Sequence, residues 1–222
     1  MNETEQLEAL KDPAALHAAA RSRTFQVFAE ALAYPEGDLE EWIREGVVSE
    51  ALLGSLAELD ANLVEGADSD ALCTTGEKDD LAVEYTRLFD VGASGPPCPL
   101  YGGLYGGARM KVMEEAVRFY NHFGLHLSEE PRELPDHLLI ELEFLHYLAF
   151  REAEALHTGE DPGAWRRVQR DYITRHPGNW VPKLRAKLDQ NDPPPYIAEV
   201  IRLLARTLEA ETTCLVRQTL DS

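Results

Sequence analysis

Apolar residues recur in this chain at intervals of three and four, and nowhere alternate with polar ones for the length of a strand. That period constrains the fold more than any other feature, because it calls for packed amphipathic helices and supplies no sheet. The strongest case follows Asp136. Leu138, Leu142, Leu145 and Ala149 make one stripe along a helix expected to be capped by Asp136 and to reach about Leu156. A first helix is expected over Ala14–Ala33, with Leu16, Ala20, Phe25, Phe28, Ala31 and Leu32 on its apolar side. Asp38 is placed to cap a further stretch that Gly46 and Ser49 divide, and Leu81–Phe89 reads as a short helix using Val83, Leu88 and Phe89 for packing. Val112–Phe123, Trp165–Arg175 and Val181–Leu188 are also helical by spacing, with His176-Pro177-Gly178-Asn179 a sharp interruption. After the prolines at 193–195 a last helix is expected to bury Ile197, Val200, Ile201, Leu204 and Leu208.

Two stretches break the pattern. Residues 66–80 are polar, carry no apolar stripe and read as a flexible loop. Residues 92–107 form a Pro/Gly-rich turn that excludes helix and central strand. With no internal repeat, the expected architecture is one all-α domain spanning 1–222, a helical bundle.

Charge narrows the function. There are 40 acids against 21 bases, a net charge of −19, which repels phosphate backbones and argues against nucleic acid. No run of about 18 apolar residues is present to enter a membrane. The acidic start, Met1-Asn2-Glu3-Thr4-Glu5, lacks the features of a secretory signal. Three scattered cysteines suit a reducing compartment. A cytoplasmic protein is expected. Residues 1–164 hold 33 acids and 11 bases, whereas 165–222 hold 7 acids and 10 bases. The acidic portion is a candidate docking surface for a cationic partner, although charge alone favours a solvated face that keeps the protein soluble.

Catalytic motifs are missing. Glu143 and His146 match the Glu-x-x-His spacing of di-iron bundles, yet no second copy follows. His122 and His126 straddle Gly124 and lack a third ligand. Cys98 has no activating neighbour, and the glycines at 102, 103, 106 and 107 are not a phosphate-cradling motif. No catalytic residue, metal or cofactor is expected. What remains is Leu134-Pro135-Asp136-His137-Leu138 with Glu141 and Glu143 following. His137 and Glu141 share a helical face and can hydrogen bond, so the cluster reads as a well-made helix start or as carboxylates that receive an arginine-rich peptide.

Three motifs in order, Glu84-Tyr85-Thr86-Arg87-Leu88-Phe89, the turn Pro96–Tyr105, and Leu134–Leu145, resemble the TorD/DmsD/NarJ family of molybdoenzyme maturation chaperones. His176–Leu184 fits the family's connection before its closing helices, and the likeness spans roughly residues 20–210. The resemblance implies an all-α chaperone that is not an enzyme. It implies binding to the N-terminal leader of a catalytic subunit, often a twin-arginine signal, until the molybdenum cofactor is inserted. The matching positions for peptide recognition are Tyr85, Leu88, Phe89, Pro99, Tyr101, Pro135, Asp136, His137, Leu138 and Glu141. Gly102-Gly103 stands where the family often has Ser, which implies a lost hydroxyl contact and a looser backbone. The overall look is nearest to chaperones of nitrate, selenate, chlorate, dimethyl sulfide and ethylbenzene-type enzymes. The chain is expected to act as monomer or dimer. The competing readings are a helical metal-binding oxidoreductase using Glu143 and His146, and a generic helical scaffold.

Overall fold

The computed structural model describes residues 12–74, 80–93, 95–128 and 133–220. Among these the helices are α1 (Pro13–Ala31), α2 (Leu39–Arg44), α3 (Val47–Leu59), α4 (Asp80–Tyr85), α5 (Arg109–His122), α6 (Leu138–Thr158), α7 (Gly163–Arg175), α8 (Pro177–Leu188) and α9 (Pro195–Leu220). Local chemistry accounts for most boundaries. Asp12 caps α1 by accepting from Ala14 N, with Pro13 in the first turn. Gly46, at φ 80°, separates α2 from α3. Asp38 occupies the N-cap position of α2 without a side-chain bond.

The all-α expectation holds, with corrections of detail. α6 is capped by His137, whose Nδ1 accepts from Leu139 N at 3.3 Å. Asp136 is diverted to Gly103 N at 2.9 Å. α4 passes into a π turn, Thr86–Asp90, and Leu88 and Phe89 are buried there. Leu16 and Val83 do not pack, being 47% and 63% exposed. The close seam between α1 and α6 is built from Ala15, Ala18 and Ala19 against Ala153, and Leu16 stands off it. On α4 Leu81 and Tyr85 turn inward, which sends the intervening Val83 outward. Within 66–80, a 3-10 turn at Ala71–Cys73 buries Leu72, and Asp68 N donates to Glu199 Oε1 of α9 at 2.9 Å. Residues 75–79 of that stretch, and Ser94 of the turn at 92–107, lie outside the described residues.

α6 runs through the core, with Leu138, Leu142, Leu145 and Leu148 fully buried. The expected face of α9, Ile197 through Leu208, is buried in the same core. No described helix is long and apolar enough to cross a membrane.

A charged network also lies in the interior. Arg21 on α1 is completely buried. It donates to Glu152 of α6 at 2.8 Å and to Glu211 of α9. Glu152 in turn accepts from Arg166 at 2.7 Å and Gln169 at 2.8 Å, both on α7. Removing one member strands the opposite charge in a dry interior. Arg21→Met is therefore expected to cost about 3–5 kcal/mol of stability in urea denaturation. Arg23→Met, which breaks an exposed 3.5 Å pair with Glu58, is expected to change it by under about 1 kcal/mol.

Candidate functional site

Three chain segments far apart in sequence are stitched together by backbone bonds. Cys98 N donates to Leu88 O at 2.9 Å, Leu138 N to Leu100 O at 2.8 Å, and Gly102 N to Asp136 O at 2.8 Å. Tyr101 and His137 form an antiparallel bridge, and their rings meet edge-on at 5.0 Å. All ten positions singled out from the sequence thus fall in one neighbourhood, although they do different things there.

Eight of them form a buried frame. Tyr85, Leu88, Phe89, Pro99, Pro135, Asp136, Leu138 and Glu141 are all buried. Tyr85 donates its hydroxyl to Leu32 O at 3.0 Å and meets Phe89 edge-on at 4.7 Å. Asp136 holds the glycine turn from beneath. The expectation of Asp136 and Glu141 as open receivers of arginine is corrected by this burial. The expected His137–Glu141 bond is replaced as well, since Glu141 Oε2 accepts from Trp180 Nε1 at 2.8 Å.

Trp180 explains the Gly-Gly pair. A Cβ on Gly102 would stand 2.8 Å from Trp180 Nε1, and one on Gly103 would stand 2.9 Å from Asp136 Oδ2. The glycines permit close approach, and both are tethered through their N–H groups to Asp136. Tyr105 stacks on Trp180 at 5.2 Å, completing the wall behind the turn. Below it, Tyr120 donates its hydroxyl to Pro135 O at 2.7 Å, which leaves Tyr172 to donate to Tyr120, also at 2.7 Å.

The accessible part is small and mixed. Tyr101 and His137 are partly exposed. Tyr101 donates to Glu133 Oε1 at 3.0 Å. Burial pushes its phenol up to about 12, reinforced by that bond to a carboxylate. Burial holds His137 below the ordinary histidine range despite the nearby Glu133, Asp136 and Asp90. The neutral ring is what lets Nδ1 accept at the start of α6. Asp90 is exposed, and its carboxyl is raised by partial burial and by Glu133, with His137 opposing. Leu104, three residues after Tyr101, and Met110, next to Arg109 at the start of α5, add apolar surface, 44% and 64% exposed. Asp90, Glu133, Trp180 and His176 were not among the expected site residues. Their immediate neighbours Phe89, Leu134 and the HPGNW run were the available signal.

Glu143 is exposed, and His146 Nδ1 lies 2.8 Å from Ser22 Oγ. Among the described residues the metal-type cluster is His17, Glu211 and Cys214 instead. The Arg21 guanidinium reaches it, with Nη2 3.4 Å from His17 Nδ1 and 4.0 Å from Cys214 Sγ.

The buried acid gives a test. Burial raises Glu141 to about 7, against the pull of His176 and Trp180; His176 Nδ1 is 3.5 Å from Glu141 Oε1. An unfolded glutamate ionises near 4.5. Between those values the folded state holds more protons, so the stabilisation present below about 4.5 is lost as pH rises through about 7. Glu141→Gln keeps an oxygen for Trp180 and is expected to flatten that decline in thermal denaturation across this window.

A family model described as nitrate reductase delta subunit matches residues 48–186. The chlorate reductase assembly chaperone protein of Ideonella dechloratans is 36% identical over 117 residues, covering 52% of this chain and 61% of that one. The selenate reductase assembly chaperone protein of Thauera selenatis is 39% identical over 114 residues, covering 50% and 59%. The perchlorate reductase assembly chaperone protein of Dechloromonas aromatica is 28% identical over 200 residues, covering 86% and 88%. The chain thus spans about three fifths of the chlorate and selenate relatives and most of the perchlorate one.

Proposed function

We propose, since this chain belongs to the nitrate reductase delta subunit family, that it is a cytoplasmic assembly chaperone and not an enzyme. Its client is the catalytic subunit of a molybdoenzyme, bound through the N-terminal leader and held until the cofactor is inserted, ahead of any twin-arginine export. The names of the chlorate, selenate and perchlorate relatives support a reductase as the class of client.

The observation that carries the reading is the meeting of Tyr101, His137, Asp90 and Glu133 at one surface, with exposed Leu104 and Met110 following Tyr101 and Arg109 in the chain. A leader offers arginines followed by an apolar run. An arginine suits two carboxylates and the face of a tyrosine, and the apolar run suits the exposed apolar side chains. In this reading Tyr101 and His137 make contact. Tyr85, Leu88, Phe89, Pro99, Pro135, Asp136, Leu138 and Glu141 hold them in place.

Affinity capture from cells making molybdoenzymes is expected to recover one catalytic subunit lacking its cofactor; a bait that recovers none overturns the reading. With the leader of that subunit as a labelled peptide, Tyr101→Ala and Asp90→Asn are each expected to weaken binding about 5- to 30-fold, roughly 1–2 kcal/mol. Circular dichroism is expected to show unchanged helicity. Raising salt to about 0.5 M is expected to weaken binding further, as the carboxylates are near the surface.

A further inference from the structure

The chain supplies a cation of its own at this surface. Arg109 opens α5 and is exposed. Its stem crosses Gly103 so closely that a Cβ there would stand 2.8 Å from Arg109 Cγ and 3.1 Å from Arg109 Cα. Its guanidinium carbon lies 5.9 Å from the centroid of the Tyr101 ring. Other arginines are held more firmly. Arg87 has Glu84 and the backbone oxygens of Asn191 and Asp192, Arg202 has Glu199, and Arg206 has the oxygens of Asn62 and Glu65. Arg109 has a ring at the far limit of cation–π attraction, about 6 Å. A weakly held guanidinium therefore lies over the phenol face that the proposed site presents.

We infer that Arg109 is an internal occupant of the arginine position on Tyr101, displaced when a client arginine arrives. The inference rests on the proposed leader site. Its physical content is competition: the site is partly filled by its own chain, and apparent affinity falls by the fraction of time it is open. A peptide must bring enough further contact, through a second cation or the apolar run, to displace Arg109. Gly103 fits the same arrangement, because any side chain there would lift the Arg109 stem away from the turn.

The test measures fluorescence anisotropy of a labelled peptide of about twenty residues carrying Arg-Arg before an apolar run. Arg109→Ala is expected to tighten binding roughly two- to fivefold, the loss of one exposed cation–π contact. Lys111→Ala removes the same charge from an exposed position two residues on and is expected to do less. At about 0.5 M salt the Arg109→Ala gain is expected to persist, since contact-range competition is screened less than general repulsion. In a Tyr101→Leu background the gain is expected to vanish. Unchanged or weaker binding by Arg109→Ala, an equal gain from Lys111→Ala, or a gain that survives Tyr101→Leu each overturns the inference. If Tyr101→Leu alone leaves affinity unchanged, or the peptide does not bind at all, the proposed site fails and this inference with it. Weakening by Tyr101→Leu without tightening by Arg109→Ala removes only the occupant.

Discussion

The fully buried guanidinium of Arg21 is the constraint around which the helices are arranged. A buried cation is tolerable only where carboxylates meet it, and those come from α6 and α9, with Arg166 and Gln169 of α7 completing the shell around Glu152. Two arginines face two glutamates, so this network carries little net charge. Such a network adds less to stability than an apolar replacement of equal shape would. Its effect is on register: α1, α6, α7 and α9 have one relative placement that satisfies it. The alanine seam lets α1 approach α6 closely enough for Arg21 to reach. Because α6 begins at His137 and Leu138, that placement also fixes where the turn at Tyr101 can dock.

The site is layered from inside outward. Glu141 holds Trp180, Trp180 backs Gly102 and Tyr105, and Asp136 ties both glycines down. Only above this frame do Tyr101 and His137 emerge beside Asp90 and Glu133. The frame is buried and mostly apolar or internally bonded. The surface offers an aromatic ring, carboxylates and exposed apolar side chains, a combination suited to reading a peptide by charge first and shape second.

The helices were legible because each buries one face and the chain marks its breaks with Pro and Gly. The stripe of α6 and the inner face of α9 could be named residue by residue. What escaped the sequence depends on partners distant in the chain. Asp136 and His137 are both able to cap a helix, and the choice between them is made by Gly103, thirty-odd residues earlier. Glu141 looks like a surface acid on an amphipathic helix until Trp180 covers it. Arg21 reads as an ordinary helix cation, since its partner Glu211 lies 190 positions away. Asp90 and Glu133 adjoin the motif residues Phe89 and Leu134 but form no pattern of their own; folding puts them beside Tyr101 and His137. The looser backbone expected at Gly102-Gly103 was a statement about intrinsic freedom, which two tethers remove.

The separation between Arg21 and Glu211 also orders events in time. Synthesis proceeds from the N-terminus, and α1 emerges long before α9. Until Glu211 has been made, Arg21 lacks one of the two carboxylates that make its burial tolerable. Trp180 likewise follows Glu141 by 39 positions. A nascent chain therefore has the residues for the wall behind Tyr101 only late, and the last carboxylate for its first helix later still. The charge shell of the first helix is completed by the last.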